Sequence, residues 1–353
     1  MPAAARPGML PMSIREQVMQ IERSATSISW IPSESLPAPL KIPFEQGLMH
    51  YDPPPPLTLT DLEGMRRRGE FRFANLLRAW IDVQDGTIRD CGYAGGVLMG
   101  LTPISVGSLN MMLPTKANQE IRREPEVTAD AVRFVQTAGG RPLFSVLKPS
   151  AKWPFLVTRP FTVWTTIDLT VRADGSSTQH LEGASQFPRH WLYDHDGRLA
   201  EKAALTQAML WESTTFGGHT PWGGEDQAPV VAPPETELER VLTERIMGGD
   251  GPQPAVRTLT AGEFLFRQAE PGTSLAVILD GTFEIRVDGQ AVGQVGPGTV
   301  VGERASLQDG RRTADLRALT QARVAETAPG ALTAEQLAEL AQGHHREDST
   351  AGR

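Results

Sequence analysis

The chain has 353 residues, 40% of them hydrophobic and 22% charged, with a formal net charge of −8. That length accommodates two domains with separate cores, and no apolar run approaches the roughly 18 residues that a membrane span needs. The negative balance lacks the positive field that holds a nucleic-acid backbone, so neither nucleic acid nor a membrane is an expected partner.

Residues 1–60 read as an extended, partly disordered N-terminal arm, with Pro2, Pro7 and Pro11 at its start. No charged region followed by an apolar core marks a secretory signal. The cytoplasm is therefore the expected compartment, and a single cysteine, Cys91, with no partner for an internal disulfide, fits a reducing one. A short helix is expected over residues 13–29, and Pro53–Pro56 must be extended because proline fixes φ and donates no hydrogen bond. The basic run Arg66, Arg67 and Arg68 has no aromatic residue interleaved with it and reads as a solvated face.

Residues 61–216 read as a β-rich domain, a mostly antiparallel barrel or sandwich. Two strand pairs are expected to turn at Asp-Gly, the strongest short hairpin signal. One runs over 79–83, turns at Asp85-Gly86 and returns over 87–89; the other runs over 166–171, turns at Asp174-Gly175 and returns to Leu181. A strand over 190–193 ends near Asp196-Gly197, and a helix is expected from Leu199 to Trp211. The polar group His190, Asp194, His195 and Asp196 sits at a turn where short carboxylates serve the backbone. Trp153, Phe155, Phe161 and Trp164, like Met111 and Met112, read as core first and as a cavity lining second.

The glycines and prolines of 217–234 read as an interdomain linker. Beyond it, Leu238, Val241, Leu242 and Ile246 follow a helical spacing that stops at Gly248-Gly249. Residues 235–345 form the second expected domain, and 346–353 a disordered tail. From Leu259 to Ala325 short strands are broken by turns at Gly262, Gly272, Gly281, Gly289, Gly296, Gly298 and Gly302, the pattern of a small β-barrel. The fold class is therefore mainly β with flanking helices.

Within that pattern stand Ala261–Phe266, Glu270–Leu275, Ile278–Ile285 and Gly296–Glu303, followed by Arg312, Thr313 and Ala314. Over roughly residues 255–340 this text resembles the cyclic nucleotide-binding domain of catabolite-activator-type regulators, cyclic nucleotide-dependent kinases and cyclic nucleotide-gated channels. The resemblance implies a jelly-roll-like β-roll and a ligand, cyclic AMP or cyclic GMP. It also implies a phosphate-binding cassette of Gly302, Glu303, Arg304, Ala305, Arg312, Thr313 and Ala314, with no metal. A carboxylate at Glu303 suits a ribose 2′-hydroxyl and a guanidinium at Arg312 suits a cyclic phosphodiester. First-turn amides at Arg304 and Ala305 add donors, and Thr313 is similar to cyclic GMP-binding members without excluding cyclic AMP. The chain departs from the family at Arg304 and Ser306, where apolar residues are usual and a looser cassette is implied. It departs again at Asp315, whose carboxylate would disfavour an anion, with Arg304 and Arg311 as offsets.

Thr333 and Gln336 form a capping-box pattern ahead of a helix expected to end before Gly343, either lidding the base or packing on the roll. His344 and His345 read as tail residues. No kinase signature lies upstream, and the chain ends without a helix-turn-helix, so direct gene control and kinase activity are not expected. The leading expectation is a nonenzymatic regulator in which nucleotide binding to the roll modulates the β-rich domain or its partner, a second protein or a second copy of the chain. The alternatives are a small-molecule enzyme or ligand-binding barrel gated by the roll, and an assembly protein with a nonbinding roll.

Overall fold

The structure is a computed structural model describing residues 18–32, 41, 44–46, 50–106, 109–113, 115–141, 145–149, 156–160, 162–208, 219–248 and 254–350. The first half is built on β1 (Met19–Trp30), β2 (Phe73–Gln84) and β3 (Thr87–Met99). Helix α1 (Leu62–Arg68) precedes β2, and its three arginines pair with Glu63, Asp61 and Glu70 at the surface. The chain continues through β4 (Ala131–Arg141), β5 (Val163–Arg172) and β6 (Ser177–Ala184). It then adds β7 (Arg189–Tyr193), β8 (Leu199–Ala203) and the short β9 (Val231–Ala232).

One sheet has the order β9-β8-β7-β1-β2-β3, and the other β6-β5-β4 with short segments pairing along β4. Alternating burial along β2 and β5 places Leu77, Ile81, Ile167 and Leu169 between the two sheets with Phe134. A buried amide pair ties the layers: Asn75 Nδ2 donates to Thr165 O at 2.9 Å, and Gln136 Nε2 donates to Asn75 Oδ1 at 2.8 Å. The mostly antiparallel sandwich is thus present. The Asp85-Gly86 turn has φ of 53° and 72°, the doubly left-handed pair that matches strand twist, and Asp174-Gly175 joins β5 to β6.

Several expectations are corrected here. The helix expected over 13–29 is strand β1 from Met19 onward, and this part of the expected arm lies inside the sheet between β7 and β2. Its residues Ile21, Ala25 and Ile28 are buried; a β-branched, serine- and threonine-rich run gains more from two flanking ladders than from helical propensity. The start of that expected helix lies outside the described residues. The helix expected from Leu199 is instead strand β8, an addition to the sheet edge that buries Leu199 and Lys202; Trp211 lies outside the described residues. The linker is not bare: Pro221–Gly223 forms a 3₁₀ turn, β9 pairs with β8, and Asp226 accepts from Trp164 Nε1 at 2.9 Å and from Thr166 Oγ1. Trp153, Phe155 and Phe161 lie outside the described residues, as do the side chains of Met111 and Met112.

The second half begins with α2 (Glu237–Gly248) and folds as β10 (Ala255–Leu259), β11 (Phe264–Phe266), β12 (Leu275–Asp280) and β13 (Phe283–Val287). It continues with β14 (Gln290–Val295), β15 (Val300–Val301), α3 (Glu303–Leu307), β16 (Asp315–Ala318), β17 (Ala322–Thr327) and α4 (Ala334–Thr350). Two four-stranded sheets, β10-β17-β12-β15 and β11-β16-β13-β14, enclose Leu259, Ile278, Phe283 and Val324. The capping box forms in both directions: Thr333 N donates to Gln336 Oε1 and Gln336 N donates to Thr333 Oγ1. Gly343 does not end α4, whose backbone runs on through the expected tail to Thr350; the side chains of His344 and His345 are outside the described ones.

The halves meet through polar groups with fixed partners. Arg189 Nη2 donates to Leu279 O at 2.8 Å, Thr206 N donates to Asp280 Oδ1 at 3.0 Å, and Gly281 N donates to Ala204 O at 2.7 Å. The tetraproline segment supplies carbonyls that no proline amide competes for. Arg240 on α2 donates to Pro54 O and Pro55 O, and Tyr193 Oη donates to Pro56 O.

Of the polar group around residue 190, only His190 is buried. Its Nδ1 meets Ser29 Oγ at 2.7 Å and its Nε2 meets Ser185 O at 2.7 Å, while Asp194 accepts from Arg198 N within its own turn. No acid and base converge there. Cys91 packs partly buried against the sandwich core, where burial first and then Asp90 and Glu124 push its thiol up, away from nucleophilic character.

Burial pushes the His190 imidazole down to about 4, against a backbone hydrogen bond that raises it. The unfolded chain therefore binds a proton below about pH 6.5 that the folded chain refuses until about pH 4. Stability conferred by the neutral ring is present above pH 6.5 and is lost as pH falls. The wild type should lose about 2 kcal/mol of unfolding free energy through this group between pH 7 and pH 5. His190→Gln should lose that much less over the same interval, as denaturant titrations at the two pH values would measure.

Candidate functional site

The candidate cassette begins where β15 ends. Gly302 holds φ at +98°, a conformation that side-chain-bearing residues rarely adopt, and α3 starts at the next residue. A Cβ at Gly302 would stand 2.6 Å from Ser274 O and 2.7 Å from Arg312 Nη1, so the backbone here passes directly over the arginine. Helix α3 buries Glu303 and Ala305. The loop that follows is stapled to residues 269–272: Gly272 N donates to Gly310 O at 2.8 Å, Arg312 N to Glu270 O at 2.9 Å and Ala269 N to Arg312 O at 2.8 Å. These ladders carry Arg312 back beneath α3.

The Arg312 side chain is 6% exposed and has defined neighbours. Nη1 donates to Ser274 O at 2.9 Å and, longer, to Gly302 O at 3.4 Å; Nη2 donates to Ser274 Oγ at 2.8 Å. Its Cζ lies 3.5 Å from the centre of the Phe266 ring, a cation–π stack. Burial lowers the guanidinium pKa, while the carboxylates of Glu326 and Glu303 raise it. The group stays charged at neutral pH because an arginine starts so far above it. Glu303 Oε1 is 3.8 Å from Arg304 Nε.

A cavity of about 470 Å³ opens beside these groups, within the ~300–1,000 Å³ typical of small-molecule sites. Gly302, Glu303, Arg304 and Ala305 line it from one side of the loop, and Arg312, Thr313 and Ala314 from the other. The structure thus brings all seven sequence-predicted residues around one space, which neither Arg304 nor Asp315 closes. Asp315 is not part of that lining. Its Oδ1 accepts from Gln268 N at 2.8 Å on strand β16, so its carboxylate is held by the backbone rather than set in the cavity wall. The departure at Ser306 is compensated by a polar tie rather than an apolar one, since its hydroxyl donates to Thr273 O at 2.8 Å. Arg311 donates to Ala269 O and lies on the outside of the staple.

Other lining residues escape a sequence reading. Phe266 stacks on Arg312 from a strand whose alternation signals only core, and Ser274 binds the guanidinium from a glycine-turn segment. Val292, Gln294 and Val295 come from β14, and Pro233, Pro234 and Glu239 from the linker and α2. Among the described residues helix α4 supplies none of the lining; its Leu337 and Leu340 pack on the roll with Leu332 and Leu275.

A two-sheeted roll thus opens into a cavity beside a glycine-started helical turn and a buried, stacked arginine. A family model described as "Cyclic nucleotide-binding domain" matches residues 256–339, and these residues belong to that family. A cGMP-dependent protein kinase of Caenorhabditis briggsae is 38% identical over 60 residues, 17% of this chain and 8% of the kinase. The cGMP-dependent protein kinase isozyme 1 of Drosophila melanogaster is 36% identical over 66 residues, 19% of this chain and 9% of the kinase. The chain therefore spans less than a tenth of the curated relatives it matches. Among solved structures, a cyclic nucleotide-binding domain from Methylobacillus flagellatus is 19% identical, covering 32% of this chain and 81% of its own, with a TM-score of 0.26. Among the described residues no helix is long and apolar enough to cross a membrane.

Gly302→Ala should destabilise the protein by about 1–3 kcal/mol through the strained φ alone, with a further loss as Ser274 O and Arg312 are pushed away. Gly289→Ala, with φ of +79° and nothing within 4 Å of the added carbon, carries the strain without the clash. Denaturant unfolding of both variants should show the larger loss at Gly302.

Proposed function

We propose that the chain is a cyclic nucleotide-responsive regulatory protein, binding cyclic AMP or cyclic GMP in the C-terminal roll and modulating the N-terminal β-rich domain or its partner. The single observation that carries the reading is the convergence of Arg312 and Glu303, one cationic fork and one carboxylate, on one open cavity of about 470 Å³.

In this reading Arg312 takes the equatorial phosphate oxygens. Its Nη groups already lie in a fixed plane, held by Ser274 and by the Phe266 face, so little side-chain entropy is lost when an anion arrives. Glu303 accepts the ribose 2′-hydroxyl, as an ionised carboxylate does more strongly than a neutral acceptor. Arg304, Ala305, Thr313 and Ala314 frame the phosphate, with the Thr313 hydroxyl as a further donor, and Gly302 lets the backbone come close. The hydrocarbon of Ile285, Val292 and Val295 offers the purine an apolar surface. Regulation then requires the nucleotide to prefer one arrangement of the two halves, because equal affinity for both would shift nothing.

Calorimetric titration of the full chain with cyclic AMP and cyclic GMP tests this. Binding at micromolar concentration or tighter is expected. Arg312→Ala should weaken it on the order of a hundredfold, the cost of removing one partner of a buried charge pair. Glu303→Gln should weaken it by about tenfold, the loss of a charge-assisted hydrogen bond. No heat from folded wild-type protein with either nucleotide would refute the reading.

A further inference from the structure

The cavity is not built by the roll alone. Pro233 and Pro234 line it, and so does Glu239 of α2. The residue before them, Ala232, is paired with Lys202 at the edge of the first sheet, and the residue after them, Glu235, accepts from Lys202 Nζ. Within a few residues, one segment is therefore sheet edge, cavity wall and ion-pair partner. Lys202 is 1% exposed, and its ammonium also donates to Pro297 O, in the turn that leads through β15 to Gly302.

The packing between that turn and the segment leaves no slack. A Cβ at Gly296 would lie 2.3 Å from Ala232 Cβ, and one at Gly298 would lie 2.9 Å from the Glu235 carboxyl carbon. Glu239 closes the circuit: its Oε2 caps Thr236 N at 2.8 Å and its Oε1 accepts from Val300 N on β15 at 3.3 Å. A displacement of Pro233 and Pro234 by a ligand is thus transmitted to Lys202 through covalent neighbours. A displacement of Gly302 is transmitted to the same ammonium through Pro297.

We propose that the ligand site is composite: the interdomain segment Pro233–Glu239 supplies a wall that contacts the bound nucleotide, and Lys202 of the first domain holds that wall in its binding position. Lys202 is then a positioning residue, and occupancy of the cavity is linked to the β8–β9 pairing of the first sheet. By that linkage, whatever shifts one must shift the other by the same factor. This inference rests on the roll binding a cyclic nucleotide, and the experiment separates the two.

Hydrogen exchange of the full-length wild type, with and without saturating cyclic AMP or cyclic GMP, reads the linkage without any substitution. Amides of 199–204 and 230–236 should exchange at least severalfold more slowly with nucleotide bound. The double variant Lys202→Met/Glu235→Leu, which removes both buried charges together and so leaves neither unpaired, should bind nucleotide about tenfold more weakly. Pro233→Gly/Pro234→Gly, with Lys202 intact, should do the same. Nucleotide binding by the wild type with unchanged exchange in both segments and unchanged affinity in both variants would overturn the composite site while leaving the proposed function standing. Absence of binding to the folded wild type would overturn both.

Discussion

A lysine ammonium removed from water constrains much of the rest of this protein. Lys202 projects from an edge region of the first sheet into the junction with the roll, where it meets the Glu235 carboxylate, the Pro297 carbonyl and the face of Trp191 at 5.8 Å. Such a charge costs several kcal/mol to bury unless its partners are held in good geometry. Burial lowers its pKa, and the Glu235 carboxylate beside it opposes that shift. Those partners are therefore not free to drift. Fixing Glu235 fixes the entry to α2, and fixing the 296–298 turn fixes the start of β15 and, two residues on, the left-handed turn at Gly302.

The cavity shows the same economy applied to an arginine. Arg312 is surrounded by acceptors and stacked on Phe266, so its orientation is settled before any ligand is present. The groups that settle it come from the β11 strand, the 270–275 loop and the α3 turn. A flexible cation on the surface would attract anions equally well at long range, but it would lose rotamer entropy for each one bound. Arg189 plays a comparable part at the junction, donating to Leu279 O while lying 5.9 Å from the centre of the Trp30 ring.

Much of the roll was legible in the chain. Turn glycines such as Gly289 and Gly302 sit where φ is positive, and no other residue meets that need as cheaply. The seven residues from Gly302 to Ala314 that line the cavity stand within thirteen positions of one another, but it is the resemblance to the cyclic nucleotide-binding family, not that spacing, that singles them out in the sequence. The first half was legible only in part. Its Asp-Gly hairpins are plain, but the segments of β1 and β8 have mixed polarity and no period long enough to tell strand from helix. Each became a strand by pairing with residues far away in the chain, β1 with β2 and β7, β8 with β7 and β9.

By itself the amino-acid order determined β-rich halves and the glycine-punctuated roll, because each follows from backbone conformations that act over a few residues. Only the tertiary structure decided what completes the cavity. Phe266 and Ser274 around the guanidinium, Pro233 and Pro234 as a wall, and Lys202 buried against Glu235 and Pro297 lie up to 95 residues apart in the chain. Their meeting is set by which sheets pair and which charges cannot be left unpaired in the dark of the interface, and no local pattern carries that information.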